Sequence, residues 1–458
     1  MSAMPASIPD FRRYVLAGVA STGGLLFGFN TGVISGALPI IQQAWQLDTF
    51  TSGLVVSVVL VSAMIGALIA GQICDRFGRR DIITATSATF ALGAFGSGLA
   101  PSIDWLIAGR AVVGLAIGAV SVSVPLYIAE IAPARSRGAL VSFNQFAITV
   151  GILLSYIAAA ILGDREEAWR YMFMTGSALA VLLGVATIVL VESPRWLVWQ
   201  DDEQEARLVL QELGSKLEEI EGEIERIRRG LAAETKGSFV ALLGGHMRPA
   251  MTTGIGLCFF QQFVGINAVI YYAPTILTNA GFDSGSAALF ATVVIGALNV
   301  AMTILAMRQL DRLGRKPLLS IGFAGMTGSM LAVGLIFVVT AGAGTTQKWL
   351  VLPALTTFIA FFAVSIGPIA WLMISEIYPT TLRGRAMSIP SAAQWLFNVV
   401  VSFAFLPFAQ HLGDAPTYVV FALFGVTGWL FCRFLVPETK GRTLEEIQEQ
   451  YAVGNRQT

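Results

Sequence analysis

Runs of twenty or so apolar residues recur along this chain, and no other feature constrains its fold as much. A helix crossing the hydrocarbon of a bilayer needs about 20 predominantly apolar residues. Twelve such runs are legible, at approximately 14–38, 52–74, 82–100, 105–129, 138–162, 169–191, 250–279, 285–307, 317–341, 349–375, 384–410 and 415–436. Composition agrees, because 55% of the 458 residues are hydrophobic, only 13% are charged, and mean hydropathy is +0.71. Soluble domains carry about 25% charged residues. A soluble chain of this length also leaves about a quarter of its surface in water, too much to hide this apolar content. The expectation is an all-α membrane protein with twelve transmembrane helices.

The remaining composition excludes several classes. Basic and acidic residues balance at 29 each, so no surplus charge invites nucleic acid. Cys74, Cys258 and Cys432 lie far apart, and the two histidines, His246 and His411, fall in polar connections. That leaves no disulfide framework, no zinc site and no nucleophile–histidine pair. The phosphate-cradling pattern GxxxxGK[ST] is absent. Neither an enzyme, a metal nor a cofactor is expected, and the polar stretch before Arg12 and Arg13 does not read as a cleavable signal.

Lysine and arginine positions fix the orientation, because basic residues gather on the cytoplasmic side. With both termini cytoplasmic, the external loops hold only Arg165, Arg170 and Lys348, and Arg110 falls inside the fourth run. All the other basic residues are then cytoplasmic. The expected location is the cell (inner) membrane. Between the sixth and seventh runs lies a charged stretch in which Leu213, Leu217, Ile220, Ile224, Ile227 and Leu231 step by four and three alternately. That period marks an amphipathic helix lying against the bundle.

Three landmarks occur twice. Asp75-Arg76-Phe77-Gly78-Arg79-Arg80 after the second run returns 236 residues later as Asp311-Arg312-Leu313-Gly314-Arg315-Lys316 after the eighth. Glu130 with Arg137-Gly138 returns after 246 residues as Glu376 with Arg383-Gly384, and Glu192-Ser193-Pro194-Arg195 after 246 as Glu438-Thr439-Lys440-Gly441. Near-equal offsets at matching points imply two homologous six-helix halves, 1–191 and 250–436, a linker at 192–249 and a tail at 437–458. Such halves enclose a substrate site in many secondary transporters. Carboxylates beside clustered arginines can form bidentate ion pairs. Asp75, Arg79, Glu130, Arg137, Glu192, Asp311, Arg315, Glu376, Arg383 and Glu438 are therefore expected to latch the halves on the cytoplasmic side.

With these loops, the ESPRWL string from Glu192, Gln261-Gln262-Phe263-Val264-Gly265-Ile266-Asn267, Gly367-Pro368-Ile369-Ala370-Trp371 and the PETKG string from Pro437, nearly the whole chain resembles the sugar porters of the major facilitator superfamily. That family includes bacterial xylose and glucose transporters, among them proton–sugar symporters, and the animal glucose facilitators. The resemblance implies the major facilitator fold.

Polar side chains at membrane depth are costly and mark function. Gln145 sits in the fifth run, Gln261, Gln262, Asn267 and Tyr271 in the seventh, and Asn299 in the eighth. Trp371 lies in the tenth, and Gln394, Trp395 and Asn398 in the eleventh. Amides both donate and accept, matching sugar hydroxyls, and aromatic faces pack on C–H surfaces. In the family, the residues matching Gln145, Gln261, Gln262, Asn267, Asn299, Trp371 and Gln394 line the sugar site, whereas Tyr271 and Trp395 match wall or gating positions. Gly24, Gly28, Gly32 and Gly36 form a small-residue stripe on the first run, fit for close helix approach.

Coupling turns on one position. Proton-coupled relatives carry Asp where this chain has Asn30, and some carry a Glu sixteen residues before the ESPR glutamate, where this chain has Gly176. No Asp or Glu lies at mid-depth in any run. The sequence therefore reads as a passive carrier of a neutral monosaccharide, a hexose or pentose, working as a monomer in the lipid bilayer. The rival readings are a proton-coupled sugar or polyol symporter and, from another class, a non-transporting sugar sensor.

Overall fold

The computed structural model describes residues 8–132, 137–234, 247–282, 285–340, 344–378 and 383–440. The first run opens as α1 (Ile8–Ala20) and, after Ser21, continues as α2 (Thr22–Trp45). Then follow α3 (Thr49–Phe77), α4 (Arg79–Gly98), α5 (Ile103–Ile131), α6 (Arg137–Leu162) and α7 (Ala168–Ala186). The charged connection holds α8 (Pro194–Trp199), α9 (Glu203–Glu212) and α10 (Leu217–Glu234). The seventh run is split into α11 (Arg248–Phe263) and α12 (Ile266–Asn279), followed by α13 (Gly285–Leu313) and α14 (Arg315–Val339). The tenth is split into α15 (Gly344–Val364) and α16 (Ile366–Glu376), and α17 (Arg383–Leu412) and α18 (Asp414–Leu435) close the bundle. Among the described residues there is no strand.

By length and hydropathy, eleven helical segments among the described residues are fit to cross a membrane, against the twelve expected. The exception is α4, whose Thr84, Thr86, Ser87, Thr89 and Ser97 dilute its apolar content. Each of those hydroxyls donates to a carbonyl within one turn, so none is left to demand water. Packed between α5 and α7, α4 completes the first group of six. Large apolar side chains such as Leu92, Leu182, Leu335, Leu423 and Phe434 point outward, a belt that lipid would cover.

The glycine stripe does what its spacing promises. Gly24, Gly28, Gly32 and Gly36 face Asn144, Ile148, Ser155 and Ala159 of α6, and a Cβ at any of them would collide there. Gly151 of α6 returns the contact against Leu25, so α2 and α6 touch nearly backbone to backbone.

The linker departs from the simple pattern. Gly214, at φ +83°, ends the helical course just after Leu213, so Leu213 caps α9 instead of starting α10. Leu217 opens α10 at 72% exposure, and the working face is Ile220 and Ile224 with Ile227 and Leu231. This face packs on Leu197, Leu210 and Leu213 and, through the same cluster, on Leu16, Ala20, Tyr127 and Ile128. Arg13 fastens α1 to the linker, donating to the Leu213 carbonyl at 2.9 Å and to Ser215 Oγ at 3.0 Å.

Candidate functional site

The end of the bundle that carries the arginine-rich loops holds two matched charge clusters. Gly78 sits at φ +91° just ahead of α4, and Gly314 at φ +92° just ahead of α14. Only glycine suits both places, because the backbone is left-handed and a Cβ would strike the Glu192 or Glu438 carboxylate. Glu192 accepts from the N–H groups of Arg79 at 3.0 Å and Arg80 at 3.2 Å. Glu438 likewise accepts from Arg315 at 3.0 Å and Lys316 at 2.9 Å. Each carboxylate thus caps the N-terminus of a membrane helix, where unpaired N–H groups and the helix dipole favour negative charge.

The arginine side chains complete each cluster. Arg79 is bidentate on Glu130, Nε to Oε2 at 3.0 Å and Nη2 to Oε1 at 3.2 Å, and reaches Asp75 at 3.2 Å. Arg315 Nη2 donates to Glu376 at 2.9 Å. The hydroxyl after each capping glutamate joins in, Ser193 donating to Glu130 and Thr439 to Glu376. The first cluster is the more enclosed, with Glu130 only 4% exposed against 23% for Glu376. Burial is the strongest influence on both capping carboxyls and pushes them up. It prevails at Glu192, which is raised, whereas at Glu438 the N–H groups of Lys440, Arg315 and Lys316 together outweigh it and the carboxyl is lowered.

Among the described residues, these pairs tie helix ends within one group of six, Arg79 and Arg315 being aimed along their own helix ends by Gly78 and Gly314. The side chains of Arg137, Asp311 and Arg383 lie outside the described residues. Contacts that do cross sit at mid-depth or toward the opposite end. Tyr156 donates to the Ile270 carbonyl at 3.0 Å, Thr49 to Gln410 Oε1 at 2.8 Å, and Phe50 meets Phe403 edge-on at 5.4 Å.

Between these two levels lie the amides. The seventh span breaks at Gly265, where φ is +94° and a Cβ would run into the Phe421 ring. Pro274 and the non-helical Tyr272 (φ −115°, ψ 17°) kink it again. The tenth breaks at Ser365 (φ −123°, ψ −105°). Gln261 joins the broken spans, donating to the carbonyls of Ile366 at 3.2 Å and Gly367 at 3.0 Å while its Oε1 stays buried without a partner. Asn267 donates to Gln262 Oε1 at 2.5 Å, so the two amides form one unit across the Gly265 break. Gln394 approaches Cys258 Sγ at 3.6 Å. Asn398 donates to the Tyr271 hydroxyl at 3.3 Å and accepts from Ser402 at 2.9 Å. Trp395 lies on Phe27 of α2 with ring centres 5.5 Å apart, across the two groups.

Gln261, Gln262, Asn267, Tyr271, Gln394 and Trp395 therefore belong to helices α11, α12 and α17, which pack together. Asn299 is buried on α13, Gln145 is half-buried on α6, and Trp371 is 36% exposed on α16. None of these three hydrogen-bonds to the amide set among the described residues. Sequence reasoning missed Asn144, whose Oδ1 is buried without a partner against Gly24, and Tyr156. A lone phenol in an apolar run was the only available signal for Tyr156.

A separate small cavity of about 10 Å³, room for one water, opens among α2, α4, α5 and α7. Its walls include Phe29, Asn30, Ser97, Arg110, Phe173 and Gly176, with no carboxylate.

The comparisons converge. The family model described as "Sugar (and other) transporter" matches residues 16–451. The D-xylose transporter of Levilactobacillus brevis is 38% identical over 429 residues, 93% of each chain. The glucose transporter GlcP of Staphylococcus epidermidis is 35% identical over 436 residues, 95% of this chain and 96% of that one. Among solved structures, the xylose transporter XylE from E. coli in a partially occluded inward-open conformation superposes with TM-score 0.83 at 32% identity, covering 94% of this chain and 99% of that one. In a complex with 6-bromo-6-deoxy-D-glucose, XylE is described as a proton:xylose symporter of the major facilitator superfamily, and there the TM-score is 0.80. Duplicated charge clusters, broken seventh and tenth spans and full-length similarity together establish that this chain belongs to the sugar transporter family, with the major facilitator fold.

Proposed function

We propose that the protein carries a neutral monosaccharide, a hexose such as glucose or a pentose such as xylose, across the membrane by alternating access, and that transport is passive. The observation that carries the passive reading is the Arg110 cavity. At the two positions where coupled relatives are expected to hold an acid it is lined by Asn30 and Gly176. A proton-driven cycle needs a titratable group whose affinity for protons changes with conformation, and neither residue titrates.

In this reading the halves are 1–191 and 250–436, joined by the linker 192–249 and followed by the tail 437–458. The sugar lies between them, hydrogen-bonded by Gln261, Gln262, Asn267, Asn299 and Gln394 from the second half and Gln145 from the first. Trp371, Trp395 and Tyr271 pack on its C–H faces. The arginine-rich end is cytoplasmic, both termini lie on that side of the inner membrane, and one chain suffices. The crossing contacts at the opposite end, Thr49 to Gln410 and Phe50 to Phe403, support an inward-facing state. The similarity to the inward-open XylE accords with that. Opening outward would break those contacts while the Arg79 and Arg315 clusters carry each half as a rigid body.

Counterflow in proteoliposomes against a panel of sugars tests the assignment. Exchange of labelled glucose or xylose is expected, and failure with every monosaccharide offered would remove it. Proton symport is the second reading, favoured by the similarity to XylE. Sugar-dependent proton entry would establish it.

A further inference from the structure

Arg110 is one of the largest wholly buried side chains of the protein, 2% exposed and about two turns inside the N-terminal end of membrane helix α5. A buried guanidinium stays protonated, and such charges inside membranes are nearly always paired. Here Nε donates to the Val55 carbonyl at 2.7 Å, and the guanidinium lies over the Phe173 ring with its carbon 5.6 Å from the ring centre. Both partners are neutral. Nη1 is buried with no hydrogen-bond partner, and Arg110 itself forms part of the cavity wall. A donor left unmade in such a place costs more than an ordinary lost hydrogen bond, because the group is charged. Gly176 keeps the opposite wall open, since a Cβ there would stand 3.0 Å from the Phe29 ring. Asn30 also lines the cavity, and its amide carries two N–H donors.

We propose that this cavity is a binding site for a small monovalent halide, chloride, which sits against Arg110 Nη1 and supplies the counter-charge that no side chain provides. The space, about one water in size, excludes oxyanions and carboxylates of any bulk, and a halide, somewhat larger than water, enters it only as the aromatic walls of Phe29, Phe90 and Phe173 give slightly. A fixed positive charge, a free donor and walls without carboxylate select for an anion over a cation. The cavity walls share no residue with the amide set, although Tyr271 and Tyr272 of the second half lie within electrostatic reach of Arg110; the ion is a companion of Arg110 and not cargo. It stands whether transport is passive or coupled, since its test involves neither sugar nor a proton gradient.

The purified full-length chain in detergent is titrated with sodium chloride, sodium bromide and sodium gluconate at matched ionic strength, and its melting temperature followed. Chloride and bromide are expected to raise it saturably by a few degrees, and gluconate not at all. Asn30→Asp, nearly isosteric, places a carboxylate in the cavity and is expected to abolish the halide response. Bromide-soaked crystals locate the ion, with an anomalous peak beside the Arg110 guanidinium expected. Identical curves in chloride and gluconate would overturn the proposal and leave a water in the cavity. So would a halide response that survives in Asn30→Asp, or a bromide peak found only elsewhere.

Discussion

The two halves of this protein are alike at their basic ends and unlike in their interiors. Gly78, Arg79, Glu130, Glu192 and Ser193 are matched one for one by Gly314, Arg315, Glu376, Glu438 and Thr439, down to the carbonyl one turn back that takes each arginine's Nη1. At membrane depth the match fails. The first half encloses a cation with no acid beside it, and the second encloses a set of amides around two broken helices. Duplication preserved the scaffold that holds helix ends together. The interior, where chemistry is decided, diverged.

The sharpest way to break the comparison is to remove the matched arginines. Arg79→Ala takes the bidentate partner from Glu130, which is 4% exposed and keeps, among the described residues, only Ser193 and the more distant Arg195 at 3.9 Å, so the cost approaches that of a broken buried pair, about 3–5 kcal/mol. Arg315→Ala strands Glu376, which is 23% exposed and can recruit water, so about 1–3 kcal/mol is expected. Thermal unfolding in detergent should rank Arg79→Ala as clearly the less stable. Equal losses would mean that enclosure of the first cluster has no energetic meaning.

The interior asymmetry is tested by sugar affinity. Gln262→Ala should weaken binding about tenfold, or about 1.4 kcal/mol, without preventing membrane insertion. Gln145→Ala, the single amide contributed by the first half, should cost less, about two- to threefold. Counterflow half-saturation read for both variants decides the matter, and an unchanged Gln262→Ala would remove that residue from the site.

Acid should separate the halves more gently. Glu438 is held below its ordinary value of 4.5, so its contribution is present above that value and is lost as pH falls through the lowered one. Glu192 is raised by burial, so its protonated form is the one folding favours; its contribution is present at low pH and lost as pH rises through the raised value. As pH falls through 4.5 and below, hydrogen exchange at the start of α14 should therefore quicken relative to the start of α4. The reverse order would contradict these assignments. The smallest effect is reserved for Asn30→Asp. Placed beside Arg110, the new carboxylate should give sugar uptake a modest pH dependence that the parent lacks, and flat profiles for both proteins would show that one acid does not make a coupling circuit.

Much of this was legible in the sequence because bilayers impose a length and loop charges impose a direction. The twelve runs, the two charge motifs and the glycine stripe follow from period and spacing alone. The seventh span breaks and kinks at Gly265 and Pro274, residue types that interrupt or weaken a helix interior. The reach of the arginines was not legible. A motif tells that Arg79 will meet an acid, but only Gly78's left-handed turn and the position of α5 decide that the acid is Glu130 of the same half. The break at Ser365 was equally hidden, since Gly367-Pro368 marks a weak point without saying that Gln261 will bind the freed carbonyls. Leu213 and Leu217 were placed on one helix because the period continued through Gly214, where the backbone does not. The Arg110 cavity escaped for a simpler reason: a void has no residues of its own to read.

The central claim is that sugar moves through this protein without a proton. Proteoliposomes loaded with a pH-sensitive dye and given an inward gradient of the sugar identified by counterflow measure both fluxes at once. Passive transport predicts that labelled sugar enters to equilibrium while the internal pH stays constant, and that an imposed proton gradient drives no accumulation. Acidification of the interior in step with sugar entry would contradict the account.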